Sequence, residues 1–135
     1  MINRILVSLL FLFSLNLSAQ ELITGKFELV NHLGEKVTQM SYQGKYRLVF
    51  FGFTSCPIIC PTTMFDISQT LQLLGPQSQL IQPIFITIDP ETDTVDRLSS
   101  YVTAFGINVA GLTGSKEQIA KTAKAFNVSY GRSKS

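Results

Sequence analysis

The chain has 135 residues, of which 45% are hydrophobic and 15% are charged, so it is sized for one domain and apolar enough to bury a core. These proportions exclude a disordered chain. The formal net charge of +2 is too small to indicate a nucleic-acid partner, and we interpret the basic residues that gather near the C-terminus as the solvated face of a helix.

Residues 1–19 are predicted to be a signal peptide or an N-terminal anchor. Arg4 supplies a positive start, residues 5–17 form a short apolar stretch, and small residues surround Ala19. The stretch is shorter than the ~20 residues that span a bilayer comfortably, yet Leu17 stands where cleavage favours a small residue. Cleavage and anchorage in an inner membrane therefore remain alternatives. Both predict a periplasmic or otherwise extracytoplasmic domain, where a free dithiol needs a metal or a dedicated reductant to stay reduced.

The remaining sequence alternates strands and helices, without repeats, in one domain over residues 22–130, followed by an irregular tail at 131–135. In chain order, the predicted elements are a hairpin (27–30 and 36–38), a strand (46–53), a helix (61–74), a strand (82–88), a helix (94–105), a strand (109–112), a helix (115–126) and the start of a strand (128–130).

Local signals support these bounds. Gly34 suits a hairpin turn, and the nearly continuous apolar run 46–53 is expected to form a central strand covered on both faces. Pro61 suits a first helical turn, and Gly75 is expected to end that helix. A capping box that begins at Ser115 predicts the start of the last helix.

The strongest chemical signal is the pair Cys56 and Cys60, the only two cysteines of the chain. They follow an apolar strand and lie at the mouth of a predicted helix, about one turn apart, so both sulfurs can project from one face. The positive end of a helix stabilises a thiolate and lowers its pKa. Two such thiolates form a disulfide or hold a soft metal such as Cu(I). A purely structural disulfide is disfavoured because so short a loop restricts the unfolded chain little.

Other residues are weaker candidates for metal ligands. His32, the only histidine, lies in a predicted turn and is interpreted as solvated. Met64 continues the stripe of the two cysteines and is interpreted as core filling, with copper ligation as the alternative. Four acids lie before or in the first turn of the second predicted helix, and we interpret them as interacting with its N-terminal dipole rather than as a hard-metal site: Asp89, Glu91, Asp93 and Asp96.

The order of elements suggests a thioredoxin-like α/β fold, and three segments carry a closer resemblance. They are Phe-Gly-Phe-Thr-Ser-Cys-Pro-Ile-Ile-Cys-Pro-Thr (51–62), Phe-Ile-Thr-Ile-Asp-Pro-Glu-Thr-Asp-Thr (85–94) and Gly-Leu-Thr-Gly-Ser-Lys-Glu-Gln-Ile (111–119). Together they resemble the SCO/SenC family, thioredoxin-like proteins that serve copper delivery to cytochrome c oxidase. The resemblance covers residues 22–130.

The resemblance implies that Cys56 and Cys60 are copper-binding, redox-active cysteines and that copper is the cofactor. It also implies a third ligand, a histidine shortly after the strand that is predicted to begin at Val128, together with a closing hairpin and a last helix. None of these follows in the present sequence. We therefore expect that the sequence is a fragment, that it comes from an altered reading frame, or that the protein has lost the third ligand. We also expect the chain to be only marginally folded.

Three functions follow from this resemblance. In the first, the chain is an assembly factor that passes Cu(I) from Cys56 and Cys60 to the copper-site subunit of cytochrome c oxidase. In the second, it is a thiol-disulfide oxidoreductase that keeps the cysteines of that copper site, or of another thiol partner, reduced. In the third, it is a non-functional truncated remnant. The metal content and the trapping of mixed disulfides distinguish the first two.

Overall fold

A computed structural model describes residues 24–131. The strands are β1 (Glu28–Asn31), β2 (Lys36–Thr38), β3 (Tyr46–Gly52), β4 (Ile81–Thr87) and β5 (Ala110–Thr113), and the helices are α1 (Ile59–Leu74), α2 (Val95–Thr103) and α3 (Lys116–Ala125). Two 3-10 helices, Gln39–Tyr42 and Gly75–Leu80, were not anticipated from the sequence. The predicted signal or anchor segment 1–19 lies outside the described residues. Among residues 24–131, no helix has the length and hydrophobicity that spanning a bilayer requires.

The five strands form one mixed sheet in the order β2-β1-β5-β4-β3. The hairpin β1–β2 is antiparallel, β1 also pairs antiparallel with β5, and β5, β4 and β3 run parallel. The carboxyl ends of three parallel strands therefore lie along one edge of the sheet. Ligands and reactive groups of α/β proteins gather at such an edge.

Side chains on β4 alternate between two apolar layers because successive strand residues point to opposite faces. Ile84 and Ile86 pack with β1, β5 and α3, whereas Phe85 packs with Met64 of α1 and Leu98 of α2. The sheet is thus covered by α3 on one face and by α1 and α2 on the other. This arrangement confirms the predicted α/β class and the N-terminal hairpin.

Several local predictions are confirmed in detail. Gly34 adopts a left-handed φ of +83° in the β1–β2 turn, a conformation that glycine tolerates readily. Gly75 follows α1 with a φ of +54°. At the start of α3, the Ser115 hydroxyl accepts from the backbone N–H of Gln118, while the Gln118 side chain accepts from the Ser115 N–H.

The interpretation of β3 as a central strand is wrong for the part of the chain that the structure describes. There β3 pairs only with β4 and forms the edge of the sheet. Tyr46 is 77% exposed and Leu48 is 43% exposed, although the later residues of the strand are more buried. An apolar run reports that a strand is hydrophobic, but it does not report how many neighbouring strands pair with it.

The predicted strand at residues 128–130 is also wrong. Asn127 takes a left-handed φ of +55°, and the backbone N–H of Val128 donates to the Ala123 carbonyl at 2.8 Å. Asn127 and Val128 therefore close the C-terminal end of α3, and residues 128–130 pair with no strand within the described range. Between residues 24 and 131 no strand or helix follows α3.

Candidate dithiol site

Both cysteines lie where β3 passes into α1, at the carboxyl end of the parallel strands. Cys60 is in the first turn of α1, but Cys56 precedes the helix, which begins at Ile59. The expectation that one helix face carries both sulfurs is therefore wrong in its detail, although the two residues are brought together. The backbone N–H of Cys60 donates to Cys56 Sγ at 3.4 Å.

This contact makes the Cys56 sulfur a substitute cap for α1. The residue at the N-cap position, Ile58, has no side-chain acceptor, and no side-chain cap hydrogen bond comes from it. The hydrogen bond from the Cys60 side chain and then that from the Cys60 backbone N–H lower the pKa of the Cys56 thiol. A thiolate at this position is stabilised by donors that the helix leaves unsatisfied.

The pKa of the Cys60 thiol is shifted in the opposite direction. Burial raises the pKa of the Cys60 thiol first, and the neighbouring Cys56 raises it further. Its sulfur lies so close to β3 that a Cβ atom placed on Gly52 would approach Cys60 Sγ and Phe85 Cε2 to 2.9 Å each. Only a residue without a side chain fits between them. The pair thus combines a thiol of lowered pKa, Cys56, with a thiol of raised pKa, Cys60.

We expect limiting iodoacetamide to modify Cys56 before Cys60 at neutral pH. Both residues are 8% exposed, so accessibility does not favour either, and the lower pKa gives Cys56 the larger thiolate fraction. The difference between the labelling rates of Cys56 and Cys60 should narrow as the pH rises and both thiols ionise. Peptide mapping by mass spectrometry measures the order. Labelling in urea is the control and should be equal at the two sites, whereas faster labelling of native Cys60 would contradict the assignment.

The weaker ligand candidates make contacts of another kind. His32 Nδ1 accepts from the backbone N–H of Gly111 at 3.1 Å in the turn that follows β1, so the ring nitrogen is engaged by the sheet. Met64 is fully buried and packs with Phe85 and Leu98, which fits core filling. Among residues 24–131, no three His, Cys, Asp or Glu side chains form a group that could hold a metal ion.

The four acids have separate surroundings. Thr94, rather than an acid, caps α2 with its hydroxyl, and Asp96 lies in the first turn near the helix dipole as expected. Glu91 forms an ion pair with Lys116 at 2.8 Å across the surface. Asp93 is fully buried and accepts hydrogen bonds from the segment that leads to Cys56, a role that the sequence interpretation missed.

A second missed residue is Tyr101 of α2. Its ring packs against Phe85 with centroids 5.4 Å apart, and its buried hydroxyl has no hydrogen-bond partner within the described range. Burial first, and the proximity of Cys60 and Cys56 next, raise the pKa of Tyr101 to about 12. The neutral hydroxyl is therefore a buried donor near the two sulfurs. Helical spacing indicated that Tyr101 faces the core, but nothing in the sequence linked it to the cysteines.

The site is thus made of two soft sulfur donors with different pKa directions, held between a sheet edge and a helix end. Soft thiolates suit Cu(I), so the donor set fits a monovalent copper ion. A reactive cysteine pair between a parallel strand and the following helix, on a sheet covered on both faces, defines a thioredoxin-like dithiol protein.

Comparisons with known proteins define the class further. A sequence model of the SCO1/SenC family matches residues 16–135. The human mitochondrial SCO1 homologue is 38% identical over 111 residues, which are 81% of this chain and 37% of the relative. The chain therefore spans well under half the length of that relative. The chain belongs to the SCO1/SenC family.

Solved structures agree with this membership. ScoI of Bradyrhizobium japonicum, determined with copper bound, superimposes with a TM-score of 0.74 at 39% identity. The match covers 78% of this chain and 68% of the B. japonicum chain. BsSco, described as having a disulfide switch and as a member of the Sco family of cytochrome c oxidase assembly proteins, has a TM-score of 0.62 at 27% identity. This match covers 73% of the present chain and 59% of the BsSco chain.

Proposed function

We propose that this chain handles copper for the assembly of cytochrome c oxidase. Cys56 and Cys60 hold Cu(I) as cargo and pass it to the copper-site subunit of the oxidase. The observation that carries the proposal is the contact of Cys56 Sγ with the Cys60 N–H at the start of α1, since this contact and the hydrogen bond between the two side chains bring the sulfurs together. The copper held by the B. japonicum relative and the family membership of BsSco support it.

The chemistry of the donors favours the reduced metal. Thiolate sulfur is a soft ligand that prefers Cu(I), whereas Cu(II) prefers nitrogen donors in a tetragonal arrangement. The one imidazole of the chain, His32, accepts a hydrogen bond from the Gly111 N–H in the turn that follows β1. Transfer proceeds by ligand exchange, in which thiolates of the partner replace Cys56 and Cys60 on the ion. We place this work outside the cytoplasm, on the strength of residues 1–19.

A second function, thiol-disulfide exchange, is favoured by the unequal thiols. The lowered pKa of Cys56 suits the attacking thiolate of such an exchange. The raised pKa of Cys60 keeps the resolving thiol protonated until the mixed disulfide has formed. Cys56 attacks a disulfide of the oxidase subunit, one sulfur of that disulfide leaves as a thiolate, and Cys60 then displaces the second. The partner gains two electrons, and Cys56 and Cys60 become a disulfide.

An anaerobic Cu(I) titration against a selective competitor tests the copper function. We expect about one equivalent of Cu(I) to bind tightly and Cu(II) to bind weakly, because both donors are soft. The double variant Cys56→Ser plus Cys60→Ser should lose Cu(I) binding. Met64→Leu is the matched control, since it removes the buried thioether while conserving volume, and it should keep full binding.

The outcomes separate the two functions. Unchanged Cu(I) binding in the double cysteine variant would remove both residues from the metal site. Absence of Cu(I) binding in the wild type, together with a mixed disulfide trapped on Cys56 in the Cys60→Ser variant, would favour thiol exchange instead. A Met64→Leu variant that loses Cu(I) while it stays folded would make the thioether a ligand.

A further inference from the structure

The segment that joins β3 to Cys56 is held by contacts with a distant part of the chain. Thr54 lies in this irregular connection, and its backbone N–H donates to Asp93 Oδ2 at 2.9 Å. Its hydroxyl donates to Asp93 Oδ1 at 2.5 Å. One carboxylate therefore fixes both the backbone and the side chain of the residue two positions before Cys56.

Asp93 is itself anchored firmly. It is fully buried, and the Thr87 hydroxyl at the end of β4 donates to Oδ2 at 2.6 Å. Its backbone carbonyl accepts from the Thr113 hydroxyl at the end of β5 at 3.1 Å. A buried carboxylate is tolerated only when it is hydrogen-bonded or paired, so these donors keep the group in one position. The ends of two parallel strands thus determine where Asp93 holds Thr54.

Arg97 completes the cluster from the first turn of α2. Its Nε donates to Thr54 Oγ1 at 2.6 Å and lies 3.7 Å from Asp93 Oδ1, and its Nη2 donates to Ser55 Oγ at 2.9 Å. The side chain is 48% exposed, so it covers the segment from the solvent side. Asp93 holds Thr54 from inside the molecule, and Arg97 holds Thr54 and Ser55 from outside.

We propose that Asp93, Thr54 and Arg97 are positioning residues that keep Cys56 Sγ against the Cys60 N–H and thereby set the thiol-disulfide equilibrium of the pair. None of the three residues is a proposed copper ligand, and none of them reacts in the thiol-disulfide exchange. The proposal uses the dithiol that the proposed function also uses, but it requires no copper.

The equilibrium with glutathione measures this role. Oxidised glutathione accepts two electrons from the Cys56–Cys60 dithiol and leaves as two molecules of reduced glutathione, while the protein gains one disulfide. In Thr54→Val the hydroxyl that joins Asp93 to Arg97 is lost, so Cys56 is released from its donor and the reduced form is stabilised less. We expect the equilibrium to shift toward the disulfide by about tenfold, the size typical of losing one hydrogen bond to a charged group.

Two variants control for a merely structural effect. Thr54→Ser retains the hydroxyl and should restore the wild-type equilibrium to within about twofold, well below one lost hydrogen bond. Thr70→Val makes the same chemical change at an exposed threonine of α1, whose hydroxyl donates to the Asp66 carbonyl at 2.8 Å. It should leave the equilibrium unchanged. Urea unfolding of each variant separates the loss of stability from the redox shift.

A folded Thr54→Val protein with a wild-type glutathione equilibrium would overturn the proposal. If Thr54→Val does not fold, Arg97→Gln serves in its place, because it removes only the outer member of the cluster, and it should shift the equilibrium in the same direction. A wild-type equilibrium in a folded Arg97→Gln protein would then overturn the proposal. Failure of the wild type to bind Cu(I) would contradict the copper function and leave these measurements valid.

Discussion

Replacement of Phe85 by alanine is expected to remove a large part of the stability of the domain. Phe85 is fully buried in β4 and packs edge-to-face on Phe50 with centroids 5.1 Å apart, while Tyr101 and Met64 contact it from the helix layer. Truncation of a buried phenylalanine costs about 3–5 kcal/mol, because it adds a cavity to the lost apolar burial. Domains of this kind have only about 5–15 kcal/mol in total.

Urea unfolding followed by circular dichroism measures the loss as a lower midpoint. Phe65→Ala is the matched control, since Phe65 of α1 is 57% exposed and its truncation should change the free energy of unfolding by less than about 0.5 kcal/mol. Equal losses in the two variants would show that Phe85 does not lie in the main core. The largest effect that we expect is an unfolded Phe85→Ala protein together with a Phe65→Ala protein that keeps the wild-type stability.

The second large effect is expected from Gly52→Ala, which places a methyl group between the sheet and the dithiol. The new Cβ would lie 2.9 Å from Cys60 Sγ and from Phe85 Cε2, closer than atoms in a relaxed structure approach each other. The sulfur and the ring must move apart. We expect a loss of about 1–3 kcal/mol in the free energy of unfolding, the usual cost of overpacking a core.

Because one of the displaced atoms is a proposed copper donor, Gly52→Ala should also weaken Cu(I) binding in the competitor titration, by about tenfold or more. Gly131→Ala is the control: no atom lies within 4 Å of its added Cβ, so both measurements should match the wild type. A Gly52→Ala protein with wild-type stability would mean that the contact at Gly52 is looser than described. Normal Cu(I) affinity in a destabilised variant would separate Cys60 from the metal.

The sequence was sufficient for features that depend on neighbouring residues. The apolar runs of β3 and β4, the capping box at Ser115 and the spacing of Cys56 and Cys60 are local signals, and each led to the correct element or pair. Pro61 does lie in the first turn of α1 as predicted, but the helix begins two residues earlier, at Ile59.

Features that depend on distant residues were not predictable. The acid Asp93 stands in a cluster that looks like a helix cap, and its contact with Thr54 joins residues 39 positions apart. The edge position of β3 depends on which strands pair with it rather than on its own composition. Gly52 reads as an ordinary strand glycine until the Cys60 sulfur is placed beside it. Each of these needs the fold before its meaning appears.

The sulfur that caps the start of α1 gives this helix an unusual property. A serine or aspartate cap is chemically inert, but Cys56 Sγ changes its capacity to accept the Cys60 N–H when it is oxidised or bound to a metal. We therefore expect the hydrogen bond at the first turn of α1 to weaken when Cys56 is oxidised or binds a metal, and amide hydrogen exchange at Cys60 measures this change.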